Sequence, residues 1–259
     1  MALNEKVALV TGAAQGIGKA IAEILLKNRV KVSMVDYNQS EGEATSAAFG
    51  RVYGAENILF LHSDVTSESQ MQETFIKSME KFQKLDIVCN NAGIIDEENW
   101  EKCININLVG LIRTSQLALQ HMGTENGGSG GVIINLSSLA AFHSLEMAPV
   151  YTASKCGVVG FTKALSMSSM KKQGIRVNAL CPYFVDTPLL RCQHEDGQKL
   201  FSAMIQSNGP FLKPFEVAEA FLELVIDQTR NGAVMKLMPN GKIEYEKPPT
   251  LSEGTQKPT

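Results

Sequence analysis

Short runs of β-forming residues alternate with longer helical patterns along nearly the whole chain, and this alternation restricts the folds that the chain can adopt. Seven runs have the composition of strands: residues 7–11, 30–36, 58–61, 85–90, 131–136, 176–181 and 233–237. Between them, apolar residues recur at helical spacing, as at Ile17, Ile21 and Ile24. Apolar strands separated by helices predict a parallel sheet covered on both faces. We therefore predict an α/β fold, a doubly wound Rossmann-type parallel sheet of about seven strands flanked by helices.

The length of 259 residues and the hydrophobic content of 44% suffice for one domain with a large core. No linker divides the chain, and we assign residues 1–245 to this domain. Residues 183–214 break the alternation with prolines, glycines and one helical stretch at 199–205, which predicts a lid over a functional site. Residues 246–259 are polar and proline-rich, which predicts a disordered tail.

Charge and cysteine content argue against several classes of protein. The formal charge of -3 gives no electrostatic reason to expect nucleic acid as a partner. The 5 cysteines include no C-x-x-C pair and the 4 histidines are scattered, so we expect reduced thiols and no metal site. The N-terminus lacks a secretory signal pattern, and polar residues interrupt the most apolar helical stretch, 104–119. These features predict a cytoplasmic protein without a membrane span.

A glycine-rich loop, residues 11–18, follows the first predicted strand and opens the first predicted helix. Gly12 allows a tight turn, Gly16 lets the backbone approach a pyrophosphate, and Gly18 lets the helix pack on the strand. The N–H groups and dipole at the start of that helix favour phosphate binding. The loop therefore predicts a dinucleotide site that includes Gly12, Gln15, Gly16, Ile17 and Gly18.

An acidic residue, Asp36, closes the second predicted strand. At this position a carboxylate holds the ribose hydroxyls of the adenosine and repels a 2′-phosphate. Ala14 and Gln15 stand in the loop, and Tyr37 follows Asp36, where a 2′-phosphate would need a basic residue. We therefore predict NAD rather than NADP, with Asp36 and Tyr37 at the adenosine end. The alternative for Asp36 is a solvated acid at the end of a strand.

Tyr151 and Lys155 stand four residues apart in a predicted helix, so their side chains share one face. A tyrosine has a pKa of about 10, and a nearby cation favours the phenolate. The pair is therefore a candidate for proton transfer, although this spacing is common in helices that have no catalytic role.

Further motifs give the pair a context. They are residues 11–18, Asp64 with Val65, residues 90–93, Asn107, Ser137 with Ser138, Tyr151 with Lys155, and Pro182. In order and approximate spacing, this set resembles the short-chain dehydrogenases/reductases over about residues 5–240. Residues 99–102, 126–135 and 231–236 resemble the prostaglandin-oxidising members of that family in particular.

The resemblance implies a role for each catalytic candidate. Tyr151 acts as general base toward a substrate hydroxyl, and Ser138 holds the same oxygen by a hydrogen bond. Lys155 binds the nicotinamide ribose and lowers the pKa of Tyr151, and Asn107 holds a water in a proton relay. The alternatives are purely structural roles: a strand-end cap for Ser138 and a buried polar group at a helix kink for Asn107.

The resemblance also implies cofactor contacts beyond the glycine loop and a homodimer packed through two long helices. Asp64 and Val65 contact the adenine, Asn91, Ala92 and Gly93 the ribose side, and Val185 and Thr187 the carboxamide. Asn91 could alternatively be a turn residue only.

The predicted substrate pocket departs from the family pattern. Tyr183 follows Pro182 where the family usually has glycine, and Ala148 replaces a glutamine that bonds the reacting hydroxyl in prostaglandin-oxidising relatives. The lid lacks the paired tyrosines that those relatives carry near Ser207 and Asn208. Apolar residues remain for the pocket, or alternatively for core or dimer packing: Phe142, Leu145, Met147, Tyr183, Leu189, Phe201, Met204 and Ile205. His143 is the titratable neighbour, and we expect it to be exposed.

These patterns predict NAD-dependent oxidation of a secondary alcohol on a hydrophobic, lipid-like substrate, of the hydroxyprostaglandin or hydroxy fatty acid class. Ser138, Ala148, Tyr151 and Tyr183 are the residues that we assign to the substrate. Two alternatives stay open. One is the same chemistry on a steroid, a retinoid or a smaller hydroxy compound. The other is an NAD-binding regulator with weak or lost turnover.

Overall fold

A computed structural model describes residues 3–190 and 211–246. Within these residues, eight strands form one sheet: β1 Val7–Thr11, β2 Lys31–Asp36, β3 Ile58–His62, β4 Ile87–Asn90, β5 Gly131–Leu136, β6 Ile175–Pro182, β7 Val234–Leu237 and β8 Ile243–Tyr245. The strand order is β3-β2-β1-β4-β5-β6-β7-β8, and every pair except β7 with β8 is parallel. The predicted doubly wound α/β fold is confirmed.

Helices cover both faces of the sheet. They are α1 Gly16–Lys27, α2 Gln39–Tyr53, α3 Glu68–Phe82, α4 Trp100–Ile104, α5 Leu111–Met122, α6 Pro149–Gln173 and α7 Pro214–Ile226. A π-helical turn, Asn105–Gly110, joins α4 to α5. In β1, Ala8 and Val10 pack into the core beneath α1 and α7, whereas Val7 and Leu9 pack beneath α3 and α5. This alternation buries both faces of the strand, as expected in a parallel sheet.

The prediction of about seven strands omitted the eighth. β8 is short and pairs antiparallel with β7, so that Met235 lies opposite Tyr245 and Leu237 opposite Ile243. A three-residue Ile-Glu-Tyr run carries too little periodicity to be read as a strand. Three strands begin later than predicted: β2 begins at Lys31, β4 at Ile87 and β7 at Val234.

The ends of the predicted lid lie against each other. Leu212 donates its backbone N–H to the carbonyl of Phe184 at 2.9 Å, and Asp186 donates to the carbonyl of Leu212 at 2.9 Å. The predicted helical stretch at 199–205 lies outside the described residues, as do Phe201, Met204, Ile205 and residues 247–259 of the tail.

The fold brings the carboxyl ends of the central strands to one edge of the sheet. The strand order reverses direction between β1 and β4, and ligands of doubly wound sheets bind at such a crossing point. No helix in residues 3–190 or 211–246 is long and apolar enough to cross a membrane. The same residues contain no group of three His, Cys, Asp or Glu side chains arranged to hold a metal ion.

Candidate active site

The glycine loop joins the end of β1 to the start of α1, as predicted. Gly12 and Gly16 have φ values of +65° and +56°, which glycine adopts without strain. A Cβ on Gly18 would lie 2.1 Å from the carbonyl oxygen of Gly12 and 2.6 Å from Nδ2 of Asn91. Only glycine at position 18 therefore lets α1 start this close to the loop.

A threonine and an asparagine tie the glycine loop to the end of β4. Oγ1 of Thr11 accepts the backbone N–H groups of Asn91 at 3.0 Å and Ala92 at 3.1 Å. Nδ2 of Asn91 donates to the carbonyls of Thr11 at 2.9 Å and Gly12 at 3.1 Å. Asn91 thus joins the two loops in addition to forming a turn. We had not predicted a role for the Thr11 side chain, although a buried threonine just before a glycine loop is a recognisable signal.

Asp36 lies at the end of β2 beside the glycine loop. Its two carboxylate oxygens accept the backbone N–H groups of Ala14 and Asn38, both at 2.9 Å. These bonds hold the carboxylate at the cleft instead of leaving it freely solvated, which argues against the alternative of a solvated acid. The neighbouring Tyr37 is 74% exposed, and its ring lies 6.1 Å from that of His62.

A cleft of about 760 Å³ lies over the carboxyl ends of the strands. Most of the predicted cofactor residues line it, namely Gly12, Gln15, Gly16, Ile17, Asp36, Tyr37, Asp64, Val65, Asn91, Ala92, Gly93, Val185 and Thr187. The catalytic candidates Ser138, Tyr151 and Lys155 line the same cleft. Gly18 and Asn107 lie behind this wall, where they support residues that do line it.

The catalytic candidates come from the end of β5 and the first turns of α6. Ser138 follows β5, and its hydroxyl lies near the phenol of Tyr151, where it lowers the pKa of that phenol. The same serine oxygen accepts the backbone N–H of Ala140 at 3.1 Å, so Ser138 is also the cap that the alternative interpretation described. Nζ of Lys155 lies 5.6 Å from the centre of the Tyr151 ring and donates to the carbonyl of Leu136 at 2.9 Å.

Burial shifts the pKa values of this pair. It raises the pKa of Tyr151 from 10.0 to about 12, although the nearby Ser138 hydroxyl lowers it. Burial lowers the pKa of Lys155 from 10.5 to about 8. In the protein alone burial dominates the pKa of Tyr151, and the prediction that Lys155 together with a bound nicotinamide ring lowers it stays a prediction. The physical reason is that desolvation disfavours both charged forms by more than one cation 5.6 Å from the ring can offset.

Asn107 lies fully buried in the π-helical turn. Its Oδ1 accepts the backbone N–H of Ile94 at 2.8 Å, and its Nδ2 donates to the carbonyl of Ile94 at 2.9 Å. Nδ2 also lies 3.1 Å from the hydroxyl of Ser154. Asn107 therefore holds the loop that follows Gly93, as the alternative of a buried polar group at an irregular helical turn described. π-helical turns of this kind often lie at functional sites.

The predicted substrate residues divide into two groups. Tyr183 lines the cleft, where its half-buried ring packs edge-on against Phe184 at 4.9 Å. Leu145 and Leu189 also line the cleft. Ala148, by contrast, is 3% exposed and packs with Cys103, Ala140 and Tyr151 behind the wall of the described cleft, so its contact with the substrate stays a prediction.

Two further candidates from the apolar set lie away from the cleft. Phe142 packs under Lys236, whose Nζ lies 3.9 Å from the ring centre. Met147 is 54% exposed on the loop before α6, and His143 is exposed on the same loop as expected. Side chains of neighbouring loop residues point in different directions, and apolar composition alone does not show which of them face the cleft.

Gly18→Ala is expected to weaken NAD binding at least 100-fold, because a Cβ 2.1 Å from the Gly12 carbonyl must displace the glycine loop. Isothermal titration calorimetry measures the affinity. Gly50→Ala is the matched control, since its Cβ would meet its nearest neighbour at 3.5 Å, an ordinary contact. Equal NAD affinity in the two variants would contradict the assignment of the loop.

The sequence and the structure match those of known proteins. The family model described as short chain dehydrogenase matches residues 6–198. 15-hydroxyprostaglandin dehydrogenase [NAD(+)] of Mus musculus is 42% identical over 255 residues, which cover 95% of this chain and 94% of that protein. The Homo sapiens protein of that name is also 42% identical, with 95% and 96% covered.

More distant relatives share the fold. The structure of 3-ketoacyl-(acyl-carrier-protein) reductase from Brucella melitensis, complexed with NADH, superposes with a TM-score of 0.79 at 28% identity, covering 92% of this chain and 99% of that one. Levodione reductase superposes with a TM-score of 0.82 at 27% identity, covering 91% and 96%. The strand order, the glycine loop and these matches agree, and the chain belongs to the short-chain dehydrogenase family.

Proposed function

We propose that this chain oxidises the secondary alcohol of a hydrophobic, lipid-like hydroxy compound to the ketone, with NAD as hydride acceptor. One observation carries the proposal. Ser138 and Tyr151 are neighbours on the wall of the same cleft that contains the glycine loop and Asp36. Proton-transferring groups and a dinucleotide site therefore share one space.

The cofactor is NAD, and the residues of the cleft fit it. The glycine loop at the start of α1 offers backbone N–H groups to a pyrophosphate. The Asp36 carboxylate is held beside that loop by Ala14 and Asn38, where it accepts ribose hydroxyls and repels a 2′-phosphate. NAD(+) stands in the names of the mouse and human relatives. When bound, NAD takes a hydride from the carbinol carbon and brings a positive nicotinamide ring into the cleft.

Tyr151 acts as the general base in this proposal, and Ser138 holds the substrate oxygen. A phenol with a pKa of about 12 is neutral near pH 7. A cation beside a buried phenol favours the phenolate, because the low dielectric strengthens their attraction. Tyr151 then takes the proton of the substrate hydroxyl while Ser138 donates a hydrogen bond to the same oxygen. The Lys155 ammonium, 5.6 Å from the centre of the Tyr151 ring, binds ribose hydroxyls in this proposal.

In this proposal the proton passes from Tyr151 toward solvent by way of Lys155 and Asn107. A Cβ on Gly93 would lie 3.2 Å from Oδ1 of Asn107 and 3.5 Å from Nζ of Lys155. The absence of a side chain at Gly93 therefore keeps open the space between these two polar atoms. We propose that a water in this space accepts the proton from the Tyr151–Lys155 pair. Asn107 uses one of the two lone pairs of its Oδ1 on Ile94 and keeps the second for this water.

The lining of the cleft supports a hydrophobic substrate. Ile94, Ile95, Leu145 and Leu189 line it together with Tyr183. Apolar walls with a few polar groups are typical of sites for small hydrophobic molecules. The relatives that are 42% identical are named for a 15-hydroxyprostaglandin, and this supports our choice of hydroxyprostaglandins and hydroxy fatty acids as the first candidates. The second candidate is a steroid, retinoid or smaller hydroxy compound, because the ring of Tyr183 occupies part of the cleft wall.

We propose a homodimer that packs through α6. Ala153, Cys156, Gly160, Ala164 and Met167 are exposed at helical spacing along this helix. The stripe is uncharged over several turns, and a second copy of the helix would cover it. Small side chains let two helices approach closely.

The test is NADH formation, followed by absorbance, with prostaglandin E2, a hydroxy fatty acid and a hydroxysteroid in parallel, each with NAD and with NADP. We expect turnover of a lipid alcohol with NAD and at least 100-fold lower kcat/KM with NADP. Turnover of the steroid alone would keep the chemistry and replace the substrate class. Intact NAD binding without turnover of any alcohol would instead favour a regulatory NAD-binding protein.

A further inference from the structure

The first turn of α6 has its free backbone N–H groups satisfied from a distant part of the chain. A helix leaves its first N–H groups without partners, and a polar side chain at the position before the helix usually accepts one of them. That position is Ala148, which has no such side chain. Pro149 has no N–H, and Thr152 donates to the carbonyl of Ala148 at 2.9 Å. The N–H groups of Val150 and Tyr151 therefore need acceptors.

Glu97 supplies both acceptors. Its Oε2 accepts the N–H of Val150 and its Oε1 the N–H of Tyr151, each at 2.9 Å. The second bond reaches the backbone of the residue proposed as general base. One carboxylate, more than fifty positions earlier in the sequence, thus holds the start of the catalytic helix at two adjacent points. The negative charge of Glu97 also interacts favourably with the positive end of the dipole of α6.

The segment that carries Glu97 is tied to the cofactor loop. Glu97 follows Gly93 by four residues, and Asn107 bonds both the N–H and the carbonyl of Ile94, at 2.8 and 2.9 Å. The chain from Gly93 to Glu97 is therefore held at one end by Asn107 and at the other by the first turn of α6. Tyr151 and the loop proposed to contact the nicotinamide ribose are linked through five residues.

We infer that Glu97 is a positioning residue, which sets the place and the protonation of Tyr151 relative to the cofactor loop. This inference rests on the proposed function. In the proposed function, the Glu97 carboxylate acts through the backbone of Val150 and Tyr151 and touches neither substrate nor cofactor. Hydride transfer requires the reacting groups in close register, and small displacements lower the rate steeply. We also expect the Glu97 charge to disfavour the Tyr151 phenolate, because an anion near a phenol has that effect.

The test compares Glu97→Gln with Glu98→Gln, which removes the same charge from the exposed neighbouring residue. Glu97→Ala removes the link altogether. All proteins are assayed at a temperature at which circular dichroism shows them fully folded. We expect Glu97→Ala to lower kcat about 30-fold while KM for NAD changes less than 3-fold. We expect Glu97→Gln to shift the pH profile of kcat toward lower pH, because the dipole at the start of α6 then favours the phenolate. Glu98→Gln should change neither quantity.

Amide hydrogen exchange reports on the link without relying on activity. The amides of Val150 and Tyr151 should exchange at least 10-fold faster in Glu97→Gln than in Glu98→Gln. Faster exchange with an unchanged kcat and pH profile would make Glu97 a helix cap only and would overturn the inference. So would identical behaviour of the two glutamine variants in every readout. If the wild-type protein turns over no alcohol, the proposed function fails, whereas the exchange rates still decide whether Glu97 holds Tyr151.

Discussion

Tyr151→Phe is expected to lower kcat about 10³-fold, which corresponds to about 4 kcal/mol of transition-state stabilisation. The variant loses the phenolic hydroxyl that we propose takes the proton from the substrate, and it keeps the ring. That ring packs against Cys103, Ala140 and Ala148, so the local core is retained. Ser138 keeps the N–H of Ala140 as a hydrogen-bond partner and is not left unpaired. We therefore expect the free energy of unfolding to change by less than about 1 kcal/mol.

NAD affinity separates a catalytic role of Tyr151 from a structural one. We expect the dissociation constant of NAD, measured by calorimetry, to change less than 3-fold in Tyr151→Phe, because the glycine loop and Asp36 are untouched. Single-turnover absorbance at 340 nm measures the chemical step directly. Loss of NAD binding together with turnover would show that the tyrosine maintains the fold of the cleft, and would falsify the assignment of the general base.

Lys155→Met is expected to abolish turnover and yet to stabilise the protein by about 2 kcal/mol near pH 7. Lys155 is 4% exposed, and burial lowers the pKa of its ammonium from 10.5 to about 8. Keeping this ammonium charged costs about 3 kcal/mol of folding free energy at pH 7. Methionine removes that cost and fills a similar volume. The variant also loses the hydrogen bond to the Leu136 carbonyl, which lowers the free energy of unfolding by about 1 kcal/mol.

The sign of the pH dependence follows from the direction of the shift. The folded protein binds this proton less tightly than the unfolded chain, so the cost is largest below pH 8 and declines as pH rises toward 10.5. From pH 7 to pH 10 it should decline from about 3 to about 1 kcal/mol. The titration of Tyr151 changes the free energy of unfolding in the opposite direction. Its raised pKa contributes stability that is lost as pH rises from 10 through about 12. The stabilising effect of Lys155→Met should therefore shrink between pH 7 and pH 10.

Urea unfolding at a series of pH values measures this effect. Lys171→Met is the matched control, because Lys171 is an exposed lysine near the end of the same helix. We expect the control to retain activity and to change stability by less than about 0.5 kcal/mol at each pH. A Lys155→Met protein that is less stable than wild type at pH 7 would contradict a net cost of burying this charge.

Local sequence patterns were sufficient for the elements that lie along continuous stretches of chain. The strand–loop–helix unit at residues 11–18 was predictable because the turn, the close approach and the helix start each demand glycine at a fixed position. The Tyr151–Lys155 pair was predictable because the period of a helix puts positions i and i+4 on one face. Short-range geometry determines both. β8, by contrast, exists because β7 offers an edge for pairing, which three residues of sequence do not reveal.

The sequence by itself therefore determined the order of strands and helices, the glycine loop between β1 and α1, and the side chains that we propose transfer the proton. The tertiary structure decided which groups surround them. Glu97 reaches α6, Thr11 joins β1 to the loop after β4, and Ala148 lies behind the cleft wall rather than in it. It also decided that burial raises the pKa of Tyr151 in the protein without its cofactor. The physical reason is that desolvation and long-range hydrogen bonds depend on what packs around a residue, and spacing along the chain carries no information about that.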